Sequence, residues 1–195
     1  MKRREDILQA ARKVFAKDGY NGATISRIAE EASLNSPSLV YWYFKNKQEL
    51  FQAILQDMSQ VLNQLARLWE IIDNPPEEVL PLIGNSILET IETPESAEFF
   101  SIVVSEVPQN QDLANTMGEK MVLGINFLVA YLDRQIELGR IRQHDVQSSA
   151  RSFMGSFLSY LLTRKFFLPL RANLPDKNVY LRNIVEIFIK GLQSS

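Results

Sequence analysis

Apolar positions recur at helical spacing along almost the whole chain. Ile7, Ala11, Val14 and Phe15 fall at i, i+4, i+7 and i+8, one stripe of an amphipathic helix. Gly19 stands where a left-handed residue would close that helix, with Tyr20 folding back. Thr24 offers a side-chain oxygen to the first free N–H groups of a second helix, in which Ile25, Ile28, Ala29 and Ala32 repeat at i, i+3, i+4 and i+7. After the break Ser33-Leu34-Asn35, Ser36 caps a third short helix. Its first position suits Pro37, because a missing N–H costs nothing there. The pattern carries this helix to about Phe44. Asn46 and Glu49 form an N-x-x-E start signal, resembling a capping box, for a long helix reaching about Ile72. Beyond Pro75-Pro76, helices are predicted over about 77–92, 95–106, 110–139, 145–168 and 178–192. Their separators are Thr93-Pro94, Pro108, Gly139 and the stretch from Pro169 to Pro175. No run alternates with the period of a strand, and no internal repeat or low-complexity tract is present. The expected fold class is all-α. A head of three short helices occupies residues 1–46, and a larger C-terminal helical bundle occupies 47–195.

Composition narrows the chemistry. The 195 residues suffice for one or two domains with a real core. The absence of Cys excludes disulfides, thiolate metal sites and thiol nucleophiles, and the single His excludes any site that needs two. The uncharged stretches Ala32–Phe44, Met121–Leu132 and Ser152–Thr163 are all far shorter than the roughly 20 residues that span a bilayer. The basic N-terminus leads into a charged helical pattern rather than an apolar signal core, so a cytoplasmic protein without membrane partners is expected. The net charge of −2 conceals an asymmetry: the first 50 residues carry nine Lys and Arg against six acids, and the remaining 145 carry twelve against seventeen. A basic head on an acidic body points to an anionic partner for the head.

Enzyme chemistry finds no foothold. His144 follows Arg142-Gln143 in a stretch that reads as a loop, and no glycines are spaced as G-x-G for a dinucleotide. Glu77-Glu78 occupy a first helical turn, where the dipole already favours acids. Nothing resembles a nucleophile–base pair, and no cofactor or metal is implied. The head carries a sharper signal. Two short helices across a tight turn describe a helix-turn-helix, whose second helix can lie in a DNA major groove with its first residues facing base edges. That second helix ends in Tyr41-Trp42-Tyr43-Phe44. Four successive aromatics wrap around a helix, so one of Trp42 and Phe44 can fill the small core while Tyr41 and Tyr43 point elsewhere. A phenol at a surface suits contact with a phosphate. Lys45 and Lys47 flank Asn46 at the start of the next helix, where free N–H groups, dipole and ammonium groups together attract an anion.

These residues resemble the DNA-binding domain of TetR-family transcriptional regulators. The likeness covers about residues 5–55. It comprises F-x-x-x-G-Y-x-x-x-T-I from Phe15, I-A-x-x-A from Ile28, Y-x-Y-F from Tyr41 and K-N-K-x-E-L from Lys45; G-R-I-R-x-x-D from Gly139 is a weaker echo. The resemblance implies that Thr24 touches a phosphate, that Arg27 contacts phosphate or a base, and that Ser36, Pro37 and Ser38 open the recognition helix. It implies that Tyr41 and Tyr43, with Trp42 between them, meet backbone or thymine methyls, and that Lys47 binds phosphate. Two departures stand out. Ser33 occupies the turn position usually held by Gly; a left-handed serine costs about 1 kcal/mol, which makes Asn35 the alternative. The segment from Ala32 to Phe44 is one residue longer than the common spacing, which leaves open whether Ser36, Pro37, Ser38 or Leu39 faces the bases.

In the body, Met121–Leu132 leaves little polar face, so its helix is expected to be central and buried. The resemblance implies that the last two long helices pair two copies as a homodimer and that central helices enclose a ligand cavity. Ser148, Ser152, Gly155, Ser156 and Ser159 fit close approach of a partner helix or tight packing within one subunit. Candidate ligand-wall residues are Trp69, Phe99, Phe100, Met117, Met121, Phe127, Tyr131 and Phe157. With Glu89, Glu92, Glu98 and Glu106 nearby in sequence, the expected effector is lipophilic and neutral or cationic. The resulting expectation is a repressor that binds a pseudo-palindromic duplex operator as a homodimer and is released by a small molecule. Its alternatives are a dimeric regulator without an effector and a helical carrier of lipophilic ligands.

Overall fold

The computed structural model describes residues 2–57 and 67–193. Its elements are α1 (Lys2–Gly22), α2 (Ile25–Glu31), α3 (Ser38–Tyr41), α4 (Lys47–Asp57), α5 (Pro76–Leu88), α6 (Pro94–Glu106), α7 (Gln111–Glu137), α8 (Val146–Phe166), α9 (Leu168–Arg171) and α10 (Lys177–Leu192). Short 3₁₀ turns follow α5 and α6. The described residues are helical with no strand, as the periodicity requires. The expected course of the long fourth helix between 58 and 66 lies outside the described residues.

The chain divides into two compact units. The first comprises 1–60 and 93–117; the second comprises 61–92 and 118–195. In the first, α1 buries Ile7, Leu8, Ala11, Val14 and Phe15, a stripe wider than α2 and α3 can cover. The rest is met by Leu50, Phe51 and Ile54 of α4, by Phe99, Ile102 and Val103 of α6, and by Leu113 at the start of α7. Phe51 is the centre of an aromatic cluster, 5.0 Å from Phe15, 5.0 Å from Tyr20 and 5.3 Å from Phe99. The head expected at 1–46 thus sits inside a unit that also contains α4, α6 and the first turns of α7. Helical amphipathicity shows that a face needs covering, but the identity of the distant segment that covers it is a tertiary matter.

In the second unit, α5 packs on α8 and α10. Gly84 sets the approach: a Cβ there would lie 2.5 Å from Cζ of Phe157 and 2.6 Å from Cδ1 of Leu181. Phe153, Phe157, Tyr160, Tyr180 and Phe188 form a contiguous run of ring contacts between α8 and α10. The segment 71–74 is pinned to α7 by Tyr131 Oη donating to Asn74 O (2.9 Å), Gln135 Nε2 donating to Ile72 O (2.9 Å) and the Arg134–Asp73 ion pair (2.6 Å). Burial pushes the Tyr131 hydroxyl well above the ordinary phenol range, consistent with a neutral donor held in apolar surroundings.

Three expectations are corrected. Ser33, not Asn35, is left-handed, with φ of 54°. Its N–H bonds Glu30 O and the Leu34 N–H bonds Ala29 O, the paired closure of a Schellman end, and Leu34 packs against the core. The closure satisfies carbonyls that would otherwise be unpaired, which outweighs the strain of the serine. The helix through Met121–Leu132 is buried only along Phe127, Leu128, Tyr131 and Leu132; Met121, Val122 and Leu123 are about half exposed. The recognition helix is also shorter than the pattern indicates: regular helix ends at Tyr41, although Phe44 N–H still reaches Val40 O.

Candidate nucleic-acid interface

The head presents its outer face through two short helices. Thr24 caps α2, its hydroxyl accepting the Arg27 N–H at 3.2 Å, and Ile25, Ile28 and Ala29 turn inward. Thr24 and Arg27 are thereby left on the exposed side. The Arg27 guanidinium is held from behind, with Nε 2.5 Å from Asp18 Oδ2. The turn closed by Ser33 leads to Ser36, whose hydroxyl accepts the Ser38 N–H at 3.2 Å and so makes the expected cap. Pro37 and Ser38 are exposed, and Ser36 is half-buried.

Burial sorts the aromatic run cleanly. Val40 and Phe44 enter the core, while Tyr41, Trp42 and Tyr43 stand 53%, 80% and 41% exposed. Phe44 therefore takes the core place that the sequence left open between it and Trp42. An indole so bare, between two exposed phenols, is a surface that a monomeric fold gains nothing from displaying.

The start of α4 is tightly specified. Asn46 Oδ1 accepts the Glu49 N–H at 2.8 Å, and Glu49 Oε2 accepts the Lys45 N–H at 2.6 Å, one residue before the reciprocal partner of an ideal capping box. Gln48 Nε2 donates to Asp112 Oδ2 at 2.6 Å. Lys47 points inward. Its ammonium donates to Tyr20 O at 2.6 Å and Ala23 O at 3.0 Å, has Asn21 O at 3.5 Å, and sits 4.5 Å from the centroid of the Tyr20 ring. Desolvation lowers its pKa, partly opposed by Glu106. The phosphate contact implied for Lys47 thus meets a side chain whose donors are already directed to carbonyls at the end of α1. Helix C-termini carry unpaired carbonyls and a negative dipole end, so an ammonium is favoured there. A lysine after a recognition helix carries no sequence mark of whether it faces outward or back.

The proposed ligand-wall residues do not form one cluster. Phe99, Phe100 and Met117 belong to the first unit; Trp69, Met121, Phe127, Tyr131 and Phe157 belong to the second. Phe99, Phe127, Tyr131 and Phe157 are buried, whereas Trp69 and Met121 are about half exposed, with Trp69 edge-on to Phe127 at 5.1 Å. Sequence reasoning missed an open groove of about 380 Å³ along α8 and α9, lined by Gly155, Leu158, Ser159, Leu162, Thr163, Phe167 and Leu170. The small-residue spacing in α8 was its signal.

Comparison with known proteins divides the chain along the sequence. Residues 7–54 match the model of bacterial regulatory proteins of the tetR family, and residues 78–190 match that of the AefR-like transcriptional repressor C-terminal domain. The chain belongs to the TetR family. Along nearly its full length it is 28% identical to the HTH-type transcriptional regulator YvkB of Bacillus subtilis, with 96% of each chain covered. The TetR fold is shared with SmeT, the repressor of the Stenotrophomonas maltophilia multidrug efflux pump SmeDEF, at TM-score 0.78 and 21% identity over 98% of this chain and 91% of that one. It is likewise shared with FadR from Bacillus subtilis in complex with stearoyl-CoA, at TM-score 0.75 and 23% identity over 97% and 99%. This TetR-family chain is accordingly a DNA-binding transcriptional regulator with a helix-turn-helix and a C-terminal helical domain. The proteins it matches are regulators rather than enzymes. Among the described residues, no helix is long and apolar enough to cross a membrane.

Proposed function

We propose that this regulator is a repressor that binds a pseudo-palindromic operator as a homodimer and leaves it when a small lipophilic molecule binds the body. The observation that carries the DNA surface is the exposure of Tyr41, Trp42 and Tyr43 beside Thr24, Arg27, Pro37 and Ser38, with Val40 and Phe44 alone of that helix buried. In this reading Pro37 and Ser38 face base edges, the three aromatics meet sugar, phosphate and thymine methyls, and Thr24 and Arg27 hold phosphates. Two heads on one two-fold axis read half-sites about one helical turn, roughly 34–36 Å, apart.

Pairing is supported by the second unit. Ser152, Gly155 and Ser159 are exposed on α8 beside Leu158, and Ile187 on α10 is 67% exposed. Small residues and bare aliphatics on two long neighbouring helices suit a four-helix contact with a second copy. For the effector, the support is by relation: SmeT is described in complex with triclosan and FadR with stearoyl-CoA, both lipophilic. Trp69, Met121, Phe127 and Tyr131 are the aromatic and methionine side chains proposed to receive it here. The ligand acts only through different affinities for bound and released states; a coupling of about 1–3 kcal/mol is typical.

The test is selection of bound fragments from the source genome, followed by footprinting. A protected site with two inverted half-sites is the expected result. Protection without inverted symmetry overturns the dimer reading, and absence of salt-sensitive specific binding favours a carrier of lipophilic molecules instead.

A further inference from the structure

Residues 51–195 are acidic, with twelve Lys and Arg against seventeen Asp and Glu, yet three of those twelve cations meet in one recess of the second unit. The recess has a volume of about 240 Å³. Arg164, Arg171 and Lys177 line it with Asp176, and Tyr160, Leu174 and Pro175 supply the rest of its wall. Its frame is fixed. Arg164 lies in the last turn of α8, and Arg171 closes the single turn of α9, its N–H returning to Phe167 O at 3.0 Å. The buried Tyr160 donates its hydroxyl to Pro175 O at 3.1 Å, and its ring meets that of Tyr180 at 4.6 Å, so the loop between α9 and α10 is tied back against α8. Lys177 is anchored by Glu92 at 2.5 Å, and Asp176 Oδ1 accepts the Asn178 N–H at 2.8 Å. Arg164 and Arg171 are differently placed: among the described residues, neither guanidinium makes a hydrogen bond or an ion pair.

We propose that this recess binds the carboxylate of a small organic acid, held by Arg164 and Arg171. The site goes beyond the repressor reading: it shares no residue with the nucleic-acid face or with the side chains proposed to receive the lipophilic effector. Charge selects the anion. The three cations, set against Asp176 and Glu92, leave one positive charge over, which a monoanion cancels and a phosphate dianion exceeds. Chemistry agrees, because a guanidinium carries its N–H donors in a fork that matches the two oxygens of a carboxylate. Two guanidinium groups brought to one recess also repel each other, and an anion shared between them relieves that repulsion. Size sets the remainder of the molecule. At about 240 Å³ the recess is smaller than the roughly 300–1,000 Å³ of pockets for drug-sized ligands, so it suits an acid with a single ring or a short chain lying against Tyr160, Leu174 and Pro175. The tethered loop adds affinity, since little of the wall has to be ordered on binding.

The experiment titrates the full chain, without DNA, with benzoate, its uncharged analogue benzamide and inorganic phosphate, and reads affinity by calorimetry or ligand-observed NMR. Benzoate is expected to bind, and benzamide and phosphate to bind more weakly. Arg164→Gln and Arg171→Gln are each expected to weaken benzoate about tenfold, the loss of one charge-assisted hydrogen bond. Lys165→Gln, which removes a neighbouring charge that does not line the recess, should leave the affinity unchanged. A thermal melt checks each variant, and because Arg164 and Arg171 stand on different helices, one variant carries the test if the other fails to fold. Four results overturn the proposal. They are no saturable binding of benzoate, an affinity that the arginine variants leave unaltered, an equal loss in Lys165→Gln, and benzamide or phosphate binding as tightly as benzoate. None of them touches the operator reading, whose own test is the footprint.

Discussion

Ser33 adopts a conformation that glycine provides without strain, and its side chain makes no compensating hydrogen bond among those described. Ser33→Gly is therefore expected to stabilise the chain by up to about 1 kcal/mol, offset in part by the greater freedom glycine gives the unfolded state. Urea denaturation measures it; a fall in stability would show that the hydroxyl contributes more than the strain costs. Gly84 behaves in the opposite sense. A methyl group there meets Phe157 and Leu181 at distances no real Cβ tolerates, so Gly84→Ala is expected to cost about 1–3 kcal/mol in the same assay. Two exposed carboxylates set a response to acid. Asp73 is held below the ordinary carboxylate range chiefly by its hydrogen bond from Arg134, and Asp145 chiefly by that from Ser148. A carboxyl group that binds protons less readily when folded adds stability that is intact above the unfolded pKa of 3.8 and is lost as pH falls through the lower folded value. The melting temperature is expected to be insensitive to these groups near neutrality and to drop below about pH 4. The double variant Asp73→Asn, Asp145→Asn should flatten that drop; an unaltered profile would exclude both groups as its cause.

Among the elements, α4 shows how local chemistry and tertiary demand divide the work. Asn46 and Glu49 declare its start in the sequence, and the cap they announce is made, with Glu49 reaching one residue further back. Asn46→Ala is expected to cost about 0.5–2 kcal/mol, read by the same denaturation, while leaving the exposed aromatics of α3 in place. The helix start at Thr24 was legible for the same reason, and Thr93, Asp145 and Asp176 cap later helices in the same way: each cap is a short-range hydrogen bond between near neighbours. The aromatic run was legible only as a necessity that some rings stay outside. Which ring went in depended on the position of Val40 and the α1 stripe, contacts between residues far apart in sequence. The fate of Lys47 was hidden for the same reason, since its acceptors lie 24–27 residues upstream. The apolar density of Met121–Leu132 overstated burial, because periodicity shows which faces are apolar and not whether another part of the same chain covers them.

At the scale of the whole molecule, the charge asymmetry read from composition now has an address. The acidic excess belongs to a body whose acids are partly occupied, with Glu92 paired to Lys177 and Glu186 to Lys190, whereas in the head Arg3, Arg4, Lys17 and Lys45 are exposed and make no ion pair among the described residues. The homodimer proposed from α8 and α10 predicts sedimentation at twice the monomer mass of 22.3 kDa. Leu158→Glu together with Ile187→Glu, both on exposed positions, should shift the molecule to monomer without unfolding it and weaken operator binding sharply. A double variant that remains dimeric would place the contact elsewhere.

The chain carries two tryptophans, and they lie in different compact units. Trp42 is almost bare among the aromatics of the head, and Trp69 is packed edge-on against Phe127 in the body. Nature has in effect installed two fluorophores with separate postings. Trp42→Phe leaves an emission spectrum that reports on the surroundings of Phe127 in the body alone, and Trp69→Phe leaves one that reports on the exposed aromatics of the head alone. Mixing the unlabelled protein with either class of partner in a stopped-flow cuvette would then time occupancy and release as separate optical signals.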